Sequence, residues 1–188
     1  MSRLRLFGSL LRGYSLSSST SPQLSRKILN YRTMATKSFR YNHTMIRVKD
    51  PKVSLKFYTE VVGMELLKEE AFESFTLYYL GFDHSEGALT AEQKTAERFK
   101  REGVLELTWN HGTESDASFK GYASGNSEPG KGFGHLAITC DSVEDACAYF
   151  EKQGVPFKKR LSDGTMKDIA FILDPDGYWI EVLSNTRK

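Results

Sequence analysis

One plan is written twice in this chain, and that repeat limits the fold more than any other feature. From Asn42 a short extended stretch runs to Val48, and Asp50-Pro51 then reads as a helix N-cap with proline at the first helical position. Val53, Leu55, Phe57, Tyr58, Val61 and Val62 supply the apolar stripe of a packed helix, and Gly63 stands where a left-handed cap residue belongs. Alternation predicts strands over 65–70, 75–82 and 104–109, with a polar insertion at 83–103 in which 91–100 reads as helical. The plan restarts at Phe133. An extended stretch over 134–139 precedes a helix opened by Ser142, with Asp145 three residues on, a stripe of Val143, Ala146, Cys147 and Phe150, and Gly154 to end it. Strands follow at 157–161, 169–173 and 178–183, with turns at Asp163-Gly164 and Asp176-Gly177. Each half reads strand, helix, strand, strand, strand. The expectation is an α+β fold of two tandem βαβββ modules, one at 41–110 and one at 133–184, joined by a linker at 111–132. Duplicated half-sheets of this kind can close a cup.

The repeat reaches single residues. His43 lies 20 residues before Gly63, and His135 lies 19 before Gly154. The last strand of each half carries a carboxylate between aliphatic residues, Leu105-Glu106-Leu107 and Ile180-Glu181-Val182. A glutamate in an apolar strand is costly to bury unless paired or metal-bound. Taken singly, each glutamate reads more simply as an acid on a wet strand face, and each histidine as an ordinary one. Recurrence changes the weighing, because two imidazoles and two carboxylates that can face a concavity are four N/O donors. That set suits a divalent metal with positions left for water or substrate, and it is too oxygen-rich for a structural zinc site. His84 and His111 have no repeated counterpart and read as loop histidines. Cys140 and Cys147 are too few for a disulfide framework and read as small core residues in a reducing compartment.

Charge separates the ends of the chain. Residues 1–40 hold eight basic residues, nine serines and no acidic residue, whereas the remainder has 18 basic against 24 acidic residues. A net-acidic body argues against a nucleic-acid partner, and no run of 18 apolar residues exists to span a membrane. Leu4, Phe7, Leu10 and Leu11 share one helical face beside Arg5 and Arg12, so residues 1–40 read as a disordered leader of the mitochondrial transit type. Met34 stands just ahead of the body and could serve as an internal start, which makes the expected location mitochondrial, cytosolic or both.

The stretches His43-Thr-Met-Ile-Arg47-Val-Lys-Asp-Pro51, Leu105-Glu106-Leu-Thr-Trp-Asn110-His-Gly-Thr113, Gly132-Phe-Gly-His135 and Asp174-Pro-Asp-Gly-Tyr-Trp-Ile-Glu181 together resemble the glyoxalase I (lactoylglutathione lyase) family of the vicinal-oxygen-chelate superfamily. Asn126-Ser-Glu-Pro129 and Lys167-Asp-Ile-Ala-Phe171 extend the likeness, which covers roughly residues 41–184 in order. The resemblance implies a paired βαβββ fold and a homodimer with its sites at the interface. Each site would take His43 and Glu106 from one subunit and His135 and Glu181 from the other. It implies one divalent metal per site and isomerisation of the glutathione–methylglyoxal hemithioacetal to S-D-lactoylglutathione, which detoxifies methylglyoxal. Zn2+ is the first choice of metal, with Ni2+ and Co2+ as alternatives. Glu181 would be the base, mirrored by Glu106 on the other substrate face.

By the same resemblance Arg47 and Asn110 would hold the γ-glutamyl end of glutathione, Lys131 would contact the tripeptide, and His135 would lie beside the substrate. Lys159 and the backbone at Met166 would lie near the glycine carboxylate, and Phe72, Met166 and Phe171 read equally well as a slot for the methyl group or as plain core. Three positions depart from the commoner pattern. His43 stands where relatives vary between Gln and His, Trp109-Asn110-His111 replaces a His-Asn-Trp order, and Lys131 replaces an arginine. Rival members of the superfamily fit less well. A dioxygenase would not need the second mirrored glutamate, a non-catalytic binding module would not need the ligands, and an acyl-coenzyme A epimerase would not need Arg47 and Asn110.

Overall fold

The structure is a computed structural model that describes residues 36–186. The leader at 1–33 and the candidate start at Met34 lie outside the described residues. The chain divides into two units, Met1–Phe39 and Arg40–Lys188. Of the first, only a turn is described, in which the Phe39 N–H donates to the Thr36 carbonyl at 3.1 Å.

In the second unit the repeat appears as two four-stranded sheets of identical topology. The first sheet is built from β1 (His43–Val48), β2 (Glu65–Ala71), β3 (Phe75–Gly81) and β4 (Val104–Asn110), in the order β1-β4-β3-β2. Strand β1 runs parallel to β4 and the other pairs are antiparallel. The second sheet repeats this with β5 (His135–Cys140), β6 (Phe157–Lys159), β7 (Ile169–Leu173) and β8 (Trp179–Ser184), in the order β5-β8-β7-β6. Parallel pairing cannot be made by a hairpin, so each module carries a helix after its first strand. These are α1 (Pro51–Lys56) in module one and α3 (Val143–Lys152) in module two; α2 (Ala91–Glu97) lies in the insertion.

Helix α1 starts as expected, with an Asp50 Oδ1 accepting from the Lys52 N–H at 2.9 Å. Its end differs from a plain α-helix. Over Phe57–Val61 the coil widens to π geometry, where the Val62 N–H donates to the Phe57 carbonyl at 3.0 Å. The wider turn lets the consecutive residues Phe57 and Tyr58 both face the core, while Val53, assigned to the stripe from sequence, stays 50% exposed. Helix α3 opens with Ser142 Oγ accepting from the Asp145 N–H at 3.1 Å. Strand β6 is shorter than the alternation suggests. Beyond Lys159 its ammonium gathers the carbonyls of Arg160, Met166 and Ile169, which draws the chain off the sheet into a loop.

One face of each sheet is packed and the other is open. Ile46 and Val48 of β1, Leu105 and Leu107 of β4, and Thr76, Tyr78 and Leu80 of β3 are buried under α1. Their counterparts Ile172, Ile180 and Val182 are buried under α3 with Val143 and Phe150. These apolar residues form one continuous core that runs through both modules. Polar bonds join the modules as well. The Tyr58 hydroxyl donates to Asp174 Oδ2 at 2.8 Å, and the Tyr178 hydroxyl donates to the Arg47 carbonyl at 3.1 Å. Asp176 accepts from the Lys49 N–H at 2.9 Å and from Ser54 Oγ at 3.2 Å. The linker is tied back where the Gly132 N–H donates to the Gly125 carbonyl at 3.0 Å. A Cβ on Gly125, at φ +86°, would sit 2.1 Å from the Phe133 carbonyl oxygen, so only glycine fits this approach.

Candidate metal and substrate site

Period-two alternation sends the residues flanking the core strands to the opposite face. With Ile46, Val48, Leu105 and Leu107 turned inward, His43, Met45 and Arg47 share the open face with Glu106, Thr108 and Asn110. The parallel register sets Met45 beside Glu106, and it places His43 Nε2 at 3.5 Å from Glu106 Oε2. The second module reproduces this register. Ala137 stands beside Glu181, and His135 Nε2 lies 3.3 Å from Glu181 Oε2. In both pairs the carboxylate is the more buried partner, its side chain 12% exposed in Glu106 and 16% in Glu181, while the imidazoles are about 40% open.

Second contacts orient these groups. His43 Nδ1 lies 2.8 Å from Asn42 Oδ1. An amide oxygen only accepts, so the Nδ1 N–H donates this bond and Nε2 is the ring nitrogen turned to the carboxylate. Asn42 is itself held by its amide nitrogen, which donates to the carbonyls of Arg98 and Arg101 at 2.8 Å each. The insertion thus fixes the histidine through Asn42. It also roofs Tyr79 of β3, whose ring meets the Arg98 guanidinium at 5.5 Å and the Phe99 ring at 5.9 Å. Burial, and next the facing Glu106 carboxylate, push the Tyr79 phenol up to about 12.

The remaining sequence candidates fall into three groups. Arg47 and Asn110 lie on the open face near the first pair; the Asn110 amide donates to the Tyr122 hydroxyl at 2.7 Å. Lys159 and Met166 do come together, but the lysine Nζ donates to the Met166 carbonyl at 2.6 Å, to Ile169 at 2.8 Å and to Arg160 at 3.2 Å. All three of its donors are therefore engaged, and it offers an anion charge rather than a free hydrogen bond. Lys131 stands on the linker, 64% exposed, with Glu128 at 3.4 Å. Phe171 meets His135 edge-on at 5.3 Å, whereas Phe72 stacks on Phe75 at 4.7 Å in the other module and Met166 is half-exposed in the β6–β7 loop. His111, read as a loop residue, anchors the turn after β4 through its Nε2, 2.9 Å from Thr76 Oγ1.

Sequence reasoning missed Asn42, Tyr79 and Thr108. Thr108 is buried on the open face, and its hydroxyl and the Arg98 Nε are the buried side-chain polar atoms left without a partner among the described residues. The pattern could have shown Tyr79, which lies directly across the ladder from Glu106.

The four candidate ligands do not collect within one chain. Among the described residues no group of three or more His, Cys, Asp or Glu forms a metal-sized cluster. The chain instead presents two equivalent half-sites, one on each sheet. Each sets an imidazole Nε2 within 3.5 Å of a glutamate carboxylate oxygen, an N/O pair of the kind that binds a divalent cation.

The family description "Glyoxalase/Bleomycin resistance protein/Dioxygenase superfamily" matches residues 40–182. The lactoylglutathione lyase of Schizosaccharomyces pombe is 56% identical over 151 residues, 79% of this chain and 48% of its own length. That of Pseudomonas putida is 47% identical over 156 residues, 81% of this chain and 88% of its own. A solved trypanothione-dependent glyoxalase I from Leishmania major aligns with a TM-score of 0.56 at 34% identity, over 78% of this chain and 87% of that one. The chain therefore belongs to the glyoxalase/bleomycin resistance/dioxygenase superfamily, within its glyoxalase I family. It spans about half the length of the first of these curated relatives.

Proposed function

We propose that this chain is a lactoylglutathione lyase that converts the glutathione–methylglyoxal hemithioacetal to S-D-lactoylglutathione in two sites shared between two copies. The observation that carries the proposal is the duplicated His–Glu half-site, built in the same strand register on both sheets. His43 and Glu106 of one copy, with His135 and Glu181 of a second, supply two nitrogens and two carboxylates to one divalent metal, Zn2+ first and Ni2+ or Co2+ as alternatives. The half-open imidazoles and the exposed Met45 belong to sheet faces that a second copy would cover.

When bound, the metal supplies Lewis acidity that acidifies the C–H beside the substrate carbonyl. Glu181 takes that proton from the sulfur-bearing carbon and returns it to the neighbouring carbon. The hydroxyl proton passes to the other oxygen, and the thioester results without oxidant or reductant. Arg47 and Asn110 receive the γ-glutamyl end, and Lys131 and Lys159 add positive charge toward the carboxylates of the tripeptide.

The test is direct. Thioester absorbance should rise with glutathione and methylglyoxal, disappear on chelation and return with metal; a chain inactive with every divalent metal tried would refute the reading. Size measurement of the active species should give two copies.

A further inference from the structure

Both ligand histidines open a strand, where a side chain has few neighbours to fix it. His43 is the first residue of β1 and His135 the first of β5. The two are steadied in different ways. Before His43 stands Asn42, whose backbone carbonyl accepts from the Val104 N–H at 2.9 Å. Its side chain is held at one end and holds at the other. The amide nitrogen donates to the carbonyls of Arg98 and Arg101 at 2.8 Å each, and the amide oxygen accepts from His43 Nδ1 at 2.8 Å. Before His135 stands Gly134, which has no side chain to offer its ring. There the linker holds the backbone instead, through the Asn126 amide, which donates to the Gly134 carbonyl at 2.5 Å. Arg98 and Arg101 follow α2 in the insertion, and α2 is moored to the first sheet. Thr95 Oγ1 donates to the Leu67 carbonyl of β2 at 2.5 Å, and Lys94 bridges Glu65 Oε2 at 2.7 Å and Asp83 Oδ2 at 2.8 Å.

We propose that Asn42 is a positioning residue that makes the insertion at 83–103 part of the metal site: the insertion holds the Asn42 amide, the amide holds the His43 ring, and loosening the insertion loosens the metal at this half-site. The inference rests on the functional reading above and deepens it. An amide whose two hydrogens are each bonded to a backbone carbonyl cannot rotate without breaking both bonds, so its oxygen points one way. That oxygen fixes the imidazole with Nε2 turned to Glu106, at 3.5 Å from Oε2. An outer partner of this kind orders a ligating ring before the metal arrives, and its loss commonly weakens metal binding 10- to 100-fold. The second half-site has the same strand register but no such residue, so the two histidines differ in how firmly they are set.

The experiment uses the full chain and two substitutions, singly and together. Zn2+ affinity is measured by competition with a chromophoric chelator. Asn42→Ala should weaken Zn2+ binding about 10-fold or more. In the metal-free chain, long-range 1H–15N spectra should place the His43 proton on Nδ1, and Asn42→Ala should spread it over both nitrogens. Thr95→Val keeps Asn42 and removes only the hydroxyl that ties α2 to β2. It should weaken Zn2+ binding about threefold or more in the parent, as for a residue acting through a contiguous network, and add nothing in Asn42→Ala. Asn42→Ala with Zn2+ affinity within twofold of the parent, or with the Nδ1 proton unmoved, would overturn the role of Asn42. Thr95→Val without effect in the parent, or with the same loss in both backgrounds, would overturn the route through the insertion. A parent chain that binds no Zn2+ would overturn the functional reading and this inference with it, whereas a parent that binds Zn2+ equally well without Asn42 overturns this inference alone.

Discussion

The bond between Tyr58 and Asp174 offers the sharpest check on how the modules are held together. Tyr58 is 1% exposed and Asp174 5%, and the hydroxyl donates to Asp174 Oδ2 at 2.8 Å while Oδ1 accepts from the N–H groups of Asp176 and Tyr178. Burial pushes the Asp174 carboxyl up to about 6, against the pull of these donors. Tyr58→Phe keeps the ring in the core and removes only the hydroxyl. The loss leaves a buried carboxylate oxygen unsatisfied, which costs about 2 kcal/mol. For a chain of this size that lowers Tm by roughly 4–8 °C. The cost should shrink at pH 5, where Asp174 is largely neutral, and be full at pH 8. Thermal unfolding followed by circular dichroism at both pH values measures it. A Tm within about 1 °C of the parent at pH 8, or additive losses for Tyr58→Phe and Asp174→Asn in a double-mutant cycle, would refute the coupling.

Other outcomes follow from the same geometry. The folded Asp174 titrates above its unfolded value, so its contribution is present below about pH 4 and lost as pH rises through about 6, an effect of roughly 3 kcal/mol. Unfolding of Asp174→Asn against pH should lack that loss. Glu181→Gln should retain most metal yet lower turnover about 10²-fold or more, as for removal of a general base, and unchanged turnover would exclude it from that role. His135→Ala should lose metal and activity together, as measured by elemental analysis beside the thioester assay. Gly125→Ala should destabilise the linker by at least about 1 kcal/mol, because the backbone is left-handed there and Phe133 fills the space; an unchanged Tm would contradict the observed approach.

The fold could be read from the sequence because its cues are local and repeated. Asp50-Pro51, Ser142, Gly63 and Gly154 mark both crossover helices, and period-two alternation sends Glu106 and Glu181 away from the core. The His–Glu pairs could be read for the same reason, since the repeat carries them together. What stayed hidden depends on contacts between distant segments. Asn42 orients His43 only because the insertion at residues 98–101 returns to its amide. Lys159 looked like a free cation, and its three carbonyl partners appear only when the β6–β7 loop closes. The π turn after α1 follows from packing two adjacent aromatics into one core, which no capping signal announces.

The two half-sites sit on different sheets of one compact unit, and under the two-copy arrangement proposed above this sets a rule for inheritance of damage. Consider one copy carrying His43→Ala and its mate carrying His135→Ala. Both lesions fall in the same shared site, and the other site draws only on the undamaged half of each copy. Two chains that are each dead as pure preparations would, when mixed and reassembled, regain up to half of the parent turnover per mixed pair. Defective alleles of this gene would therefore complement one another when they strike opposite modules and fail to do so when they strike the same one.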